Sequence, residues 1–169
     1  MREKIVLFNK KFFLSILTIL FCFILDRISK IYVIKFFVNN KDIESYYVSS
    51  NLNIIFLWNK GIAFGLLQLE NVVYHLISFL IFIIILFIFY LIIKAEKEYE
   101  TIFLSCINGG ALGNFFDRIY YQSVPDFIDF HINNYHWFTF NVADVFITFG
   151  IIMLLFFDIK IPNFKKKND

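Results

Sequence analysis

The sequence predicts an all-α membrane protein: four transmembrane helices, a small extracytoplasmic β-rich insertion and a short interfacial helix. Three observations lead there. Hydrophobic residues make up 59% of the chain and aromatic residues 21%, with 25 Phe, against roughly 45–50% apolar usage in soluble domains. A chain of 169 residues has too little interior to hide that much apolar surface from water. Four stretches are long enough to cross a bilayer core, which takes about 20 apolar residues. Basic residues, finally, gather in alternate connections between those stretches. Length favours one domain over residues 1–169.

The first span, about 12–37, is apolar from Phe12 to Leu25 and is then interrupted by Asp26, Arg27 and Lys30. No small-residue cleavage site follows its apolar run, so it reads as a span and not a removable leader. The insertion 38–71 contains short β-like runs, Tyr46-Tyr47-Val48 and Ile54-Ile55-Phe56-Leu57, and a small sheet is expected there. The second span, 72–93, has His75 and Ser78 as its most polar members. The third, 101–119, carries Gly109, Gly110 and Gly113, small residues that let another helix approach closely, and the polar Asn114, Asp117 and Arg118. In 127–138, apolar Phe127, Ile128, Phe130, Ile132, Tyr135, Trp137 and Phe138 alternate with polar residues. That stretch is expected to form the interfacial helix, with its aromatics at headgroup depth. The fourth span, 140–159, opens on Asn141 and Asp144.

Orientation follows from Lys and Arg in the connections. Ten of them lie in the N-terminal tail (Arg2, Lys4, Lys10, Lys11), the loop 94–100 (Lys94, Lys97) and the C-terminal tail (Lys160, Lys165, Lys166, Lys167), whereas the other two connections hold only Lys41 and Lys60. Both termini are therefore expected in the cytoplasm. A net charge of +2 gives no reason to expect nucleic acid as a partner. Cys22 and Cys106 sit in apolar stretches and read as small buried side chains. Three scattered histidines and no cysteine pair give no metal-ligand spacing, so neither metal nor other cofactor is expected.

This topology assigns a depth to each polar residue. Asp26 lies 14 residues past Phe12, about 21 Å up the first span at 1.5 Å per residue, and Lys30 one turn higher. Asn114 and Arg118 near the outer end of span three share a face, as do Asn141 and Asp144 at the start of span four. Asn59 and Asp126 come from the outer connections. Ionisable groups in a membrane face a cavity or a partner, and here they converge on the outer leaflet while the inner halves of the spans are almost purely apolar. Asp117, Asp126, Asp129 and Asp144 all lie near this depth. Two carboxylates sharing a site, such as Asp126 and Asp144, split their protons: one ionises and activates water, while the other keeps its proton and polarises a carbonyl. Asp26 and Lys30, at i and i+4, read as an ion pair anchoring span one, and Asp117 as structural or as orienting Arg118. The rival reading is a small transporter or proton relay, which would leave polar residues along the full depth of the bundle.

Four boxes in this chain resemble those of one family. They are Leu25-Asp26-Arg27-Ile28-Ser29-Lys30; Asn59-Lys60-Gly61-Ile62-Ala63-Phe64-Gly65; Gly109 to Arg118 followed by Val124-Pro125-Asp126-Phe127; and Phe140-Asn141-Val142-Ala143-Asp144. Together, in this order and on four spans, they resemble lipoprotein signal peptidase (signal peptidase II). The resemblance implies a metal-independent aspartic endopeptidase of the bacterial inner membrane, multi-pass, with its active site at the extracytoplasmic face. It implies that diacylglyceryl-modified prolipoproteins are cut just before the lipidated cysteine, and that globomycin-type cyclic peptides inhibit. It selects Asp126 over Asp129 and pairs it with Asp144 as the catalytic dyad. Asn59, Gly61, Asn114, Arg118 and Asn141 become substrate-binding or supporting positions, with Asp26 and Lys30 behind them. Lys60 departs from the small or polar residue common in the second box. Pro125 confines the preceding backbone to extended conformations.

Overall fold

The computed structural model describes residues 2–61, 71–133 and 135–160. Ala63, Phe64 and Gly65 of the second box and the basic run Lys165 to Lys167 lie outside the described residues. The chain order is α1 (Arg2–Asn39), β1 (Ser45–Ser49), β2 (Leu52–Asn59), α2 (Asn71–Lys94), α3 (Glu98–Tyr121), β3 (Val124–Ile132), β4 (Tyr135–Phe140) and α4 (Val142–Lys160). A helix covers each of the four expected spans. Among the described residues, Lys10–Asn39 and Val72–Lys94 are long and apolar enough to cross a membrane, and Val142–Phe157 is apolar but shorter. Helix α3 is not in that set because its sequence is mixed: it spends its polar residues on its neighbours.

Helix α3 is the hub, packed against α1, α2 and α4. Its glycines make this possible. A Cβ on Gly110 would lie 2.5 Å from the Ala143 carbonyl oxygen of α4, and one on Gly113 would lie 2.5 Å from Asp26 Oδ2 of α1. The polar side chains of α3 face inward: Thr101, Ser105, Asn108 and Asp117 are buried. The inner halves of the helices are thus less purely apolar than the sequence reading held. Their polar groups are neutral, and several bond to a helix backbone: Asn108 Nδ2 donates to the Ile85 carbonyl of α2 at 2.9 Å and Ser15 to the Phe12 carbonyl at 2.7 Å. Outward, the helices expose large apolar side chains, among them Leu17 and Ile28 of α1, Phe79 and Phe87 of α2, and Ile152 and Leu155 of α4. A belt of this kind belongs in lipid, and the molecule is a membrane protein.

The insertion does form strands, but they belong to a larger sheet. β1 and β2 make a hairpin, β2 pairs antiparallel with β3, and β3 pairs with β4, giving the order β1-β2-β3-β4. The expected interfacial helix over 127–138 is therefore wrong. That segment is the β3–β4 hairpin, as its period-2 alternation of apolar and polar residues requires. Asn133 at the turn takes the left-handed conformation, with φ 53°, which asparagine tolerates.

The two ends of the bundle differ in chemistry. At one end Lys10 pairs with Glu98 at 3.1 Å, and Lys11 donates to the Glu96 carbonyl, tying the start of α1 to the α2–α3 connection. At the other end lie the sheet and the ionisable cluster described next.

Candidate active site

The β2–β3 pairing sets Asn59 opposite Val124 and Leu57 opposite Asp126. It thereby brings the Asn59 amide to the Asp126 carboxylate across 67 residues of chain, at 2.7 Å. Asn141 Nδ2 donates to the other Asp126 oxygen, also at 2.7 Å. Asn141 also starts α4. Its side-chain oxygen accepts from the Asp144 N–H at 3.2 Å, while Asp144 Oδ2 accepts from the Asn141 N–H at 3.1 Å. This reciprocal pair is a capping box, and it fixes the Asp144 carboxylate in the first turn of the helix, where the dipole favours negative charge. Asn114 of α3 donates to Asp144 Oδ1 at 2.8 Å.

Asp126 and Asp144 line one cavity together with Asn59, Asn114, Arg118, Val124 and Asn141. Its volume, about 50 Å³, is enough for a reacting water. Gly61 closes one side: its N–H donates to Asn59 Oδ1 at 2.8 Å, and its carbonyl accepts from Arg118 Nη2 at 3.1 Å. Six of the eight sequence-predicted polar positions, and Gly61, are thus brought together, with Asp26 and Lys30 behind them. Asp126 is almost fully buried. Burial raises its pKa to about 6, against the pull of the Asn59 amide, with the Asp144 charge adding to the rise and the Asn141 amide and Lys30 opposing it. A buried carboxylate poised near neutrality beside a second one suits general acid–base work on water.

Behind this cavity lies an ionic layer. Lys30 Nζ reaches Asp26 Oδ1 at 2.9 Å, Asp117 Oδ2 at 2.6 Å and Asn114 Oδ1 at 2.8 Å. Asp26 Oδ1 also accepts the Ala143 N–H at 3.0 Å, satisfying a free donor at the start of α4. The i, i+4 pair anchors α1 as expected, and it does more: through Lys30 and Asn114 it is linked to Asp144. Asp117 does not orient Arg118. It forms a fork with Arg27, 2.5 Å from Nη1 and 2.8 Å from Nη2, and that guanidinium also lies over the Phe116 ring at 4.9 Å. Arg27 is the functional neighbour the sequence reading passed over. An arginine inside a span must find a counter-charge, and that rule would have found it. Asp129 stays out of the cavity. Its carboxylate meets His136 Nδ1 at 2.8 Å and His131 Nδ1 at 3.5 Å. Two of the three scattered histidines therefore do cluster with a carboxylate, contrary to the sequence reading, because strand pairing joins what spacing alone keeps apart.

The comparisons with known proteins agree with this geometry. The family model for signal peptidase (SPase) II matches residues 18–160. A lipoprotein signal peptidase of Pelagibacter ubique is 43% identical over 161 residues, covering 95% of each chain. One from Anaplasma phagocytophilum is 42% identical over 139 residues, covering 80% of this chain and 85% of its own. Two solved structures, both described as a bacterial membrane enzyme studied by the in meso method, are also similar. One has a TM-score of 0.70 at 31% identity, covering 92% of this chain and 93% of its own; the other has 0.68 at 30%, covering 88% and 94%. With the family model matched over residues 18–160 and relatives above 40% identity over most of its length, the chain belongs to the signal peptidase II family.

Proposed function

We propose that the chain is a membrane aspartic endopeptidase that removes signal peptides from diacylglyceryl-modified bacterial prolipoproteins, cutting before the lipidated cysteine. One observation carries the reading: Asp126 and Asp144 line a single water-sized cavity and are held there by amides, with no cation in direct contact with either carboxylate among the described residues. For this reaction the pair needs one member ionised and the other protonated. Its ionised member takes a proton from water, which attacks the scissile carbonyl; its protonated member hydrogen-bonds that carbonyl oxygen, and a proton is then passed to the leaving nitrogen. Asn59 and Asn141 keep both Asp126 oxygens aimed at the cavity, and Asn114 does the same for Asp144. Arg118, fixed by Gly61, presents its guanidinium to the peptide backbone.

Four membrane spans, both termini in the cytoplasm and an extracytoplasmic active site complete the reading. The ten basic residues of the tails and the loop 94–100 support it. So does the Lys10–Glu98 contact, which puts two of these basic segments at the same end of the bundle. Substrate acyl chains, worth about 0.8 kcal/mol per buried methylene, hold the scissile bond at cavity depth, and a globomycin-type cyclic peptide would occupy the same place. The test is incubation of purified protein with lipidated and unlipidated prolipoprotein. Rapid cleavage of the lipidated form alone is expected. Equal rates for both would overturn the lipid requirement, and cleavage lost to a chelator and restored by zinc would overturn the aspartic mechanism.

A further inference from the structure

We propose that Asp129, His131 and His136 form a binding site for one divalent transition-metal ion, Zn²⁺ above all, on the β3–β4 hairpin and outside the catalytic cavity. The proposal does not rest on the peptidase reading. His131 and His136 are direct cross-strand partners, and Asp129 precedes His131 by two residues, so the strand's period of two sets it on the same face. One ligand atom from each of the three residues lies within 4.8 Å of the other two. Bonds of about 2.0–2.1 Å in a tetrahedral zinc centre put ligand atoms roughly 3.3 Å apart. The Nδ1–Oδ2 separations of 2.8 and 3.5 Å already bracket that value.

A second observation points to a ligand. His131 is 8% exposed, and its Nδ1 is buried without a hydrogen-bond partner among the described residues, although it faces the Asp129 carboxylate. A buried imidazole nitrogen left unbonded is costly, and a cation between His131, His136 and Asp129 would satisfy it. The backbone behind it is rigidly held: the His131 N–H donates to the Asn51 carbonyl at 3.0 Å and its carbonyl accepts from Asn51 Nδ2 at 3.1 Å. Two imidazoles and a carboxylate are a nitrogen–oxygen donor set suited to zinc rather than calcium or magnesium. His136 is largely exposed, which gives an ion access from water and leaves a coordination position open to it.

The experiment uses the full chain in detergent, carrying no histidine tag, stripped with chelator and titrated with ZnCl₂ by calorimetry and thermal unfolding. CoCl₂ absorption serves as a probe of geometry. One Zn²⁺ per chain, a rise in melting temperature of several degrees at saturation and tetrahedral or five-coordinate Co²⁺ bands are expected. His136→Ala, His136→Gln and Asp129→Asn should each weaken binding at least tenfold and remove the thermal shift. His75→Ala, which changes an exposed histidine of α2, should bind like the parent. Cleavage by His136→Ala should stay at the parental rate, so failure of the metal site and failure of the peptidase reading are separately visible. Absence of saturable binding to the parent, or equal binding by the His136 variants, would overturn the proposal.

Discussion

Two carboxylate pairs lie on either side of Asn114, one fully buried and one lining the cavity, and they are solvated in opposite ways. Asp26 and Asp117 are met by Lys30 and Arg27 at 2.5 to 2.9 Å. Asp126 and Asp144 are met by the amides of Asn59, Asn141 and Asn114. A cation beside a carboxylate makes it one half of an ion pair and a structural group. Amides fix its position while leaving its proton free to move. The same residue type, at similar depth, serves as a fastener in one place and, on the proposed mechanism, as a reagent in the other.

The contrast is broken most severely at the reagent pair. Asp126→Asn and Asp144→Asn should each reduce cleavage of a lipidated precursor by at least about a thousandfold, with the protein still folded and inserted. The double variant should be little worse than either, since the two act as a unit. Turnover normalised to folded, detergent-extracted protein checks this. At the fastener pair the loss should be in stability. Asp117→Asn leaves Arg27 and Lys30 short of a counter-charge, and breaking a buried pair costs about 3–5 kcal/mol. The expected result is a large fall in extractable folded protein, measured by thermal unfolding in detergent.

A pH series sharpens the distinction. The folded pKa of Asp126 is raised to about 6 from an ordinary 3.8, so between these values the folded state binds more protons than the unfolded one. Stability contributed by this group therefore increases as pH falls through about 6 and is lost as pH rises through it. Comparing the parent with Asp126→Asn, the parent should gain roughly 2 kcal/mol of relative stability from pH 7 to pH 4.5, about 1.4 of the roughly two-unit rise being realised in that window at about 1.36 kcal/mol per unit. Melting curves of both proteins across that range provide the test. Asn59→Ala removes one of two amides on Asp126 and should slow turnover by roughly tenfold to a hundredfold, as expected for a hydrogen bond to a charged group. The smallest effect belongs to Asp129→Asn, which should stay within a few-fold of the parental rate. Loss of activity there, with Asp126→Asn still active, would reverse the assignment of the dyad.

The Asp126–Asp129 choice also marks where the sequence was legible. The spans, their polar ends and the convergence of Asn59, Asn114, Arg118, Asn141 and Asp144 follow from apolar run length and from the cost of charge in lipid. The hairpin did not, because its aromatics suggested a membrane-surface helix, and this hid a decisive inference. Three residues apart on a helix, Asp126 and Asp129 would share a face; on β3 they face opposite sides, one toward Asn59 and Asn141, the other toward His131 and His136. Asp117 is structural, one of the two roles expected for it, and the other role, orienting Arg118, fails for a related reason. Adjacency to Arg118 suggested a pair, yet neighbouring residues on a helix point in different directions, and Asp117 turns to α1.

The capping box of α4 has a consequence for biogenesis. Asn141 caps α4 through its side-chain oxygen and bonds the Asp126 carboxylate through its amide nitrogen, so the start of the last helix and the proposed proteolytic centre are built from one side chain. A chain still emerging from the ribosome, with α1 to α3 already in the bilayer, has Asp126 but neither Asn141 nor Asp144 in place. On the proposed dyad, such a chain would lack half of its proteolytic centre until the final helix is laid down. No removable propeptide would then be needed to keep it silent.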